Sequence, residues 1–254
     1  MIRMALTDLD DTLLRSDRSI SDFTVEVLGR CRAAGVLVGF CTARGEQNIA
    51  PYVERIHPDV VISSGGALAR FRGGILHAVQ FTQAETRALI DAGLSRGCEV
   101  TVDTLNGHYW NYAVDPLLAA PDWGETIRTD YSGFCQEALK VCIELPEPAL
   151  AESIAGSIGG CDWVRFSGGN WYKFTRAGAN KESAIRDVAE RLGIPIPEVI
   201  AFGDDYGDIG MLKLCGTGVA VANAAPEVRK AADIVTDSND CDGVANCLKR
   251  LLNL

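Results

Sequence analysis

The chain has 254 residues, 47% hydrophobic and 23% charged, enough for a sizeable core in one large domain or two modest ones. Its 34 acidic against 24 basic residues give a formal net charge of −10, and no Lys/Arg run supplies a footprint for a phosphate backbone, which argues against nucleic acid as a partner. No apolar run approaches the roughly 18 residues of a membrane span, and Arg3 and the aspartates that follow break up the apolar start, so neither a membrane segment nor a signal peptide is expected. Nine cysteines without a C-x-x-C pair read as small core hydrophobes of a reducing, cytoplasmic setting, and His57, His77 and His108 stand too far apart for a His-ligated metal.

Residues 2–6 read as a strand, followed by the acidic stretch "DLDD". Residues 21–34 read as a helix, with Phe23, Val27, Cys31 and Ala34 at helical spacing, capping chemistry at Ser19-Ile20-Ser21-Asp22 and Gly35 placed to end it. "VLVGFC" (36–41) and "VVISSGG" (60–66) are buried strands, so the opening rhythm is strand, helix, strand and predicts a parallel sheet with helices on both faces. Near residue 81 the rhythm changes. A helix over 81–97 precedes two predicted hairpins, one turning at Asn106-Gly107 and one at Gly168-Gly169, with a further strand at 138–145. The core pattern resumes with a helix over 180–193, strands at 199–205, 218–222 and 233–236, and a last amphipathic helix from Gly243. The reading is therefore α/β: a Rossmann-like parallel-sheet core in two parts, 1–80 and 176–254, with an inserted α+β cap domain over 81–175.

Asp8, Thr42 and Asp204 each follow a predicted strand. In an open parallel α/β sheet the ligand crevice lies outside the carboxyl ends of the strands, so these three converge there. Asp8 and Asp10, two apart on an extended chain, would share one side. Crowding them with Asp204 and Asp208 is unfavourable unless a cation sits between, and an all-oxygen set suits Mg²⁺, which completes its shell with waters and a phosphate oxygen. The chain also holds the parts that phosphoryl transfer needs. Asp8 can serve as nucleophile, Asp10 as proton donor and acceptor, Lys181 as charge partner, and Thr42 with its neighbouring N–H groups, including Ala43, as phosphate holder. Each piece alone is also ordinary turn, loop or solvated-helix chemistry; the ordered set at strand ends carries the argument.

"DLDDTLL" (8–14), "CTAR" (41–44), Lys181 and "GDDYGD" (203–208), in that order, resemble the four motifs of the haloacid dehalogenase superfamily. The inserted segment resembles the cap of its Cof-type phosphatases, and "GVAVANAAPEVRKAADIVTDSNDCDGVA" (218–245) is similar to that subfamily's closing segment. The resemblance spans essentially the whole chain. It implies that Asp8 is nucleophile and metal ligand, that Asp10 is general acid/base and binds the metal through its carbonyl, and that Asp204 and Asp208 complete the Mg²⁺ site. Thr42, Ala43 and Lys181 would hold the phosphate, and the cap would choose a small phosphorylated metabolite such as a sugar phosphate.

Two positions depart from the family pattern: Gly207 replaces the usual Asn before the last aspartate, and Ala43 replaces the usual Gly before Arg44. Three other readings stay open: a phosphomutase, a phosphometabolite-binding protein without turnover, and a phospho-accepting receiver domain, the last disfavoured by the long insertion. Arg44 either reaches a substrate anion or pairs with an acidic neighbour. Tyr109, Trp110, Asn111, Tyr112, Trp171 and Tyr172 are expected mainly to pack on sheet faces.

Overall fold

The computed structural model describes residues 1–114, 124–166 and 169–254. They form two compact units, one of Met1–Ala43, Tyr52–His77 and Asn180–Leu254, the other of Arg44–Pro51 and Ala78–Ala179. The strands in chain order are β1 (Met4–Thr7), β2 (Leu37–Cys41), β3 (Val60–Ser63), β4 (Leu68–Phe71), β5 (Gly74–Ala78), β6 (Val100–Asp103), β7 (His108–Trp110), β8 (Ile127–Arg128), β9 (Lys140–Glu144), β10 (Cys161–Arg165), β11 (Trp171–Arg176), β12 (Val199–Gly203), β13 (Thr217–Ala220) and β14 (Ile234–Val235). The helices are α1 (Asp22–Ala33), α2 (Ala50–Ile56), α3 (Gln83–Leu94), α4 (Pro148–Ser157), α5 (Lys181–Arg191), α6 (Ile209–Leu214), α7 (Pro226–Ala231) and α8 (Gly243–Leu252).

The first unit is built on an eight-stranded sheet ordered β14-β13-β12-β1-β2-β3-β4-β5. Its middle strands are parallel, with β1 between β12 and β2. Those strands are mostly apolar and buried, as expected of a parallel sheet covered on both faces, and Met4, Leu6, Phe40, Ile62, Ile200 and Phe202 are fully buried. The parallel core expected from the opening rhythm is present, and towards one end of the sheet β4 turns back antiparallel on β3. The turn between them, Ser64-Gly65-Gly66, holds three successive positive φ angles, and two glycines make that affordable. Ser21 caps α1 by accepting the Thr24 N–H at 3.0 Å.

The second unit is a six-stranded mixed sheet ordered β10-β11-β9-β6-β7-β8. The hairpin pairing expected around Asn106-Gly107 is present, with Asp103 opposite His108. The strands on either side of the second predicted turn, β10 and β11, also pair antiparallel, while Gly168 of that turn lies outside the described residues. One face of this sheet buries Val100, Val102, Val141, Ile143, Tyr172 and Phe174 with Leu89, Ile90 and Ile154 from α3 and α4. Tyr109 packs against that core, and Asn111 is spent on backbone, its amide oxygen accepting the Val100 N–H at 2.6 Å. In register across three strands, Asp103 meets His108 Nδ1 at 2.5 Å and Lys140 Nζ at 2.8 Å, all three buried. Burial opposes ionisation of Asp103, but the Lys140 ammonium and the hydrogen bond to His108 outweigh it and hold the carboxyl well below the usual carboxylate range. Gly45 lies against this group, since a Cβ there would meet Asp103 Oδ2 at 2.6 Å.

Candidate active site

Asp8, Thr42 and Asp204 are the first residues beyond β1, β2 and β12, three adjacent parallel strands, so the backbone alone brings them to one edge of the sheet. The Asp8 N–H is itself held by the Phe202 carbonyl at 2.9 Å. Beyond Asp8 the chain is not extended. Leu9–Leu13 forms a π-helical turn in which Asp10 has ψ 132° and Asp11 has φ +52°, with Leu9 fully buried. Asp8 and Asp10 are therefore not two apart on an extended strand as the sequence suggests, and this turn sets the direction of Asp10.

Lys181 is the first residue of α5, whose N-cap Asn180 accepts the Ser183 N–H at 2.9 Å. The helix starts close against the Ser64–Gly66 turn, because Gly66 carries no side chain: a Cβ there would lie 2.2 Å from the Asn180 carbonyl carbon. That approach delivers the buried Lys181 Nζ to 3.1 Å from Asp8 Oδ1 and 2.5 Å from Asp208 Oδ1. Asp208 uses its other oxygen on backbone, accepting N–H groups of Asp204 at 3.0 Å and Asp205 at 3.2 Å. It fits so closely that a Cβ on Gly203 would come within 2.7 Å of its carboxylate. Asp208 thus binds together the 204–208 loop and Lys181. The Asp204 carboxylate is turned inward by Thr12, whose hydroxyl donates to Oδ1 at 2.6 Å.

Asp8, Asp204 and Asp208 bring carboxylate oxygens within 4.8 Å of one another, and Asp10 adds no carboxylate to that group. Burial is the larger cause that pushes the Asp8 carboxyl up to about 8, and Asp208 and Asp204 raise it further while Lys181 opposes them. Asp204 is likewise pushed up to about 7, by burial first, with the Thr12 hydrogen bond lowering it and Asp208 raising it. On Lys181, burial favours the neutral form, but Asp208 and Asp8 outweigh it and keep the ammonium charged well above the usual lysine range. One buried cation against three carboxylates leaves negative charge uncompensated. A hard divalent cation with oxygen ligands fits this donor set.

The raised Asp204 carboxyl has a stability consequence. Between its ordinary value of 3.8 and about 7 the native state holds a proton that the unfolded chain has lost, so folding stability falls as pH rises through that window. Asp204→Asn, which still accepts the Thr12 hydroxyl, is expected to stabilise the metal-free protein by about 1–2 kcal/mol at pH 8, after allowance for solvent screening. The gain should shrink towards zero near pH 4. Thermal melts of both proteins in chelator across that range check it.

Thr42 is buried, its carbonyl accepting the Gly65 N–H at 3.0 Å, so it is tied to the same turn that seats Lys181. Ala43 lies outside the left-handed region, so replacing glycine there needs no strained backbone. Arg44 is buried and donates to the Asn48 carbonyl at 3.1 Å. Gly207 has open space around the position of a Cβ. The contacts of Thr12, Gly66 and Gly203 are not visible in the sequence: Thr12 and Gly203 lie within "DLDDTLL" and "GDDYGD" and Gly66 ends "VVISSGG", but residue type alone does not show what stands opposite them.

The family model of the haloacid dehalogenase-like hydrolases matches residues 5–248. The chain belongs to that family. It is a phosphatase of the haloacid dehalogenase type. It is 26% identical to a putative phosphatase of Haemophilus influenzae, with 98% of each chain covered. It is 25% identical to the 5-amino-6-(5-phospho-D-ribitylamino)uracil phosphatase of Bacillus subtilis, over 97% of this chain and 96% of that one. Its fold matches the solved structure of a subclass IIB sugar phosphatase with a TM-score of 0.84 at 21% identity, covering 99% of this chain and 100% of that one. No helix among the described residues is long and apolar enough to cross a membrane.

Proposed function

We propose that the protein is a Mg²⁺-dependent phosphomonoesterase that hydrolyses small phosphorylated metabolites, sugar phosphates foremost, through an aspartyl-phosphate on Asp8. The observation that carries this reading is the Asp8 carboxylate at 3.1 Å from a buried Lys181, beside two further carboxylates. In the first step an Asp8 oxygen attacks phosphorus, the bond to the leaving oxygen breaks, and Asp10 gives its proton to that oxygen. In the second, Asp10 takes a proton from a water that attacks the acyl phosphate, releasing inorganic phosphate and restoring Asp8. Lys181 offsets charge on the transferring phosphoryl oxygens, and Thr42 with the Ala43 N–H receives the phosphate. Asp8 and Asp204 would hold Mg²⁺, with Asp208 fixing them from behind, and the ion would add charge neutralisation at the phosphoryl group. The named activity of the Bacillus subtilis relative supports a phosphorylated small molecule as substrate class.

The test is phosphate release from a panel of sugar phosphates, nucleotides and phosphorylated cofactors, with Mg²⁺ and with chelator. Metal-dependent release is expected; tight binding of one compound without release would favour the binding-protein reading, and a bisphosphate requirement the mutase. Gly207 bears on the same choice. Because a side chain fits there without a clash, Gly207→Asn is expected to lower KM several-fold by adding an amide donor to bound phosphate, worth about 1 kcal/mol. Initial-rate kinetics on the best panel compound check it, and an unchanged or raised KM would mean that the loop is organised around glycine.

A further inference from the structure

We propose that Asn223 and Asn239, which belong to none of the four motifs, are positioning residues that clamp the Leu9–Leu13 turn and so aim Asp10 at the leaving oxygen; this rests on the phosphatase reading above. The turn has an intrinsic problem. Asp11 sits at φ +52° without being glycine, a conformation that persists only when its surroundings hold it. Inside the turn the Leu14 N–H reaches the Leu9 carbonyl at 2.8 Å, which closes the ring without engaging the Asp11 and Leu14 carbonyls. Both are collected by the two asparagines. Asn223 Nδ2 donates to the Asp11 carbonyl at 2.7 Å, and Asn239 Nδ2 donates to the Leu14 carbonyl at 3.0 Å.

The two asparagines are also joined to each other, since the Asn239 N–H donates to Asn223 Oδ1 at 3.0 Å. A single relay therefore runs from the segments after β13 and β14 to the middle of the turn, at Asp11, and to its exit, at Leu14. Asn239 is buried at 4% exposure, which fixes one end of the relay, whereas Asn223 lies at the surface. The exposure matters for testing: removing a surface side chain costs little stability, so a kinetic effect at Asn223 is not a by-product of unfolding. A loosened turn frees Asp10, whose proton matters most when the leaving oxygen is a strong base.

The experiment compares kcat/KM, which reports the step that transfers the phosphoryl group to Asp8, for the best alkyl monoester of the panel and for p-nitrophenyl phosphate. For Asn223→Ala we expect a roughly tenfold to hundredfold fall with the alkyl ester and less than about threefold with the aryl ester, whose phenolate leaves without help. Asn223→Asp, which keeps the acceptor for the Asn239 N–H and loses the donor to Asp11, should show the same pattern. Amide hydrogen exchange read on the same variants should quicken over residues 10–14 and nowhere else in β1 or β12. Equal loss with both esters, or no loss, overturns the proposal, as does unchanged exchange over 10–14. Wild-type protein that hydrolyses neither ester would instead overturn the phosphatase reading, and the exchange result keeps the two failures apart.

Discussion

Asp8→Asn is expected to remove essentially all turnover, by a factor of at least about a thousand, while leaving the protein folded. Two features separate these effects. The nucleophile is lost because an amide oxygen does not form the acyl phosphate, and no other carboxylate stands directly beyond β1 to replace it. The fold is retained because asparagine matches aspartate in size and still presents an oxygen to the Lys181 ammonium, which faces Asp8 Oδ1 at 3.1 Å. Thermal melts and phosphate-release assays on the same preparation read both halves. A variant that melts with wild type yet keeps more than a few per cent of its activity would contradict the covalent scheme.

Lys181→Met should be more damaging than Asp8→Asn, since it harms both catalysis and stability. The ammonium faces Asp208 at 2.5 Å and Asp8 at 3.1 Å, so its removal leaves buried carboxylates facing one another without a cation. Breaking such a pair from one side costs about 3–5 kcal/mol, and the cost should depend on pH. In the wild type the pairing holds the lysine charged, a contribution present below the ordinary lysine value of 10.5 and lost only above its raised native value, so it is constant from pH 5 to 9. Without the lysine the site relieves itself by keeping carboxyls protonated, which is easier at low pH. The stability gap between wild type and variant should therefore widen as pH rises from about 5 to 9. Denaturant unfolding at several pH values checks this, and a gap independent of pH would show that the methionine acts through packing alone.

How far these residues were legible in the sequence depends on the kind of physics that places them. Asp8, Thr42 and Asp204 could be read because each follows an apolar run that only a buried parallel strand explains, and β1, β2 and β12 are neighbours in the sheet. Lys181 could be read because Asn180 and the helical pattern fix the start of α5. What the sequence does not display is close approach. Gly66 and Gly203 matter because of what stands opposite them, Asn180 and Asp208, more than a hundred positions away in one case and five in the other. The turn after Asp8 escaped because its left-handed residue is Asp11 and not glycine. The antiparallel strand β4 escaped because the preceding glycines look like a loop, when they are a reversal that lays the chain back on β3. Strand β8 is two residues long and pairs parallel with β7, which no hairpin signal announces.

The asparagine relay shows the same limit from another side. Asn223 and Asn239 lie over two hundred residues from the turn they touch, in segments whose composition reads as ordinary loop. Only their hydrogen-bond partners identify them. The site is thus a set of motif residues legible by position, held by glycines and amides legible only in three dimensions.

The claim most exposed to a direct test is that the phosphoryl group is carried on Asp8. Acid quenching of the enzyme during steady turnover of its best panel substrate, followed by borohydride reduction and peptide mass analysis, reads it without reliance on mutants. An aspartyl-phosphate is reduced to homoserine, and the account predicts that conversion at position 8 and at no other aspartate. Steady phosphate release with position 8 unmodified, or with the label on Asp10 or Asp204, would contradict it.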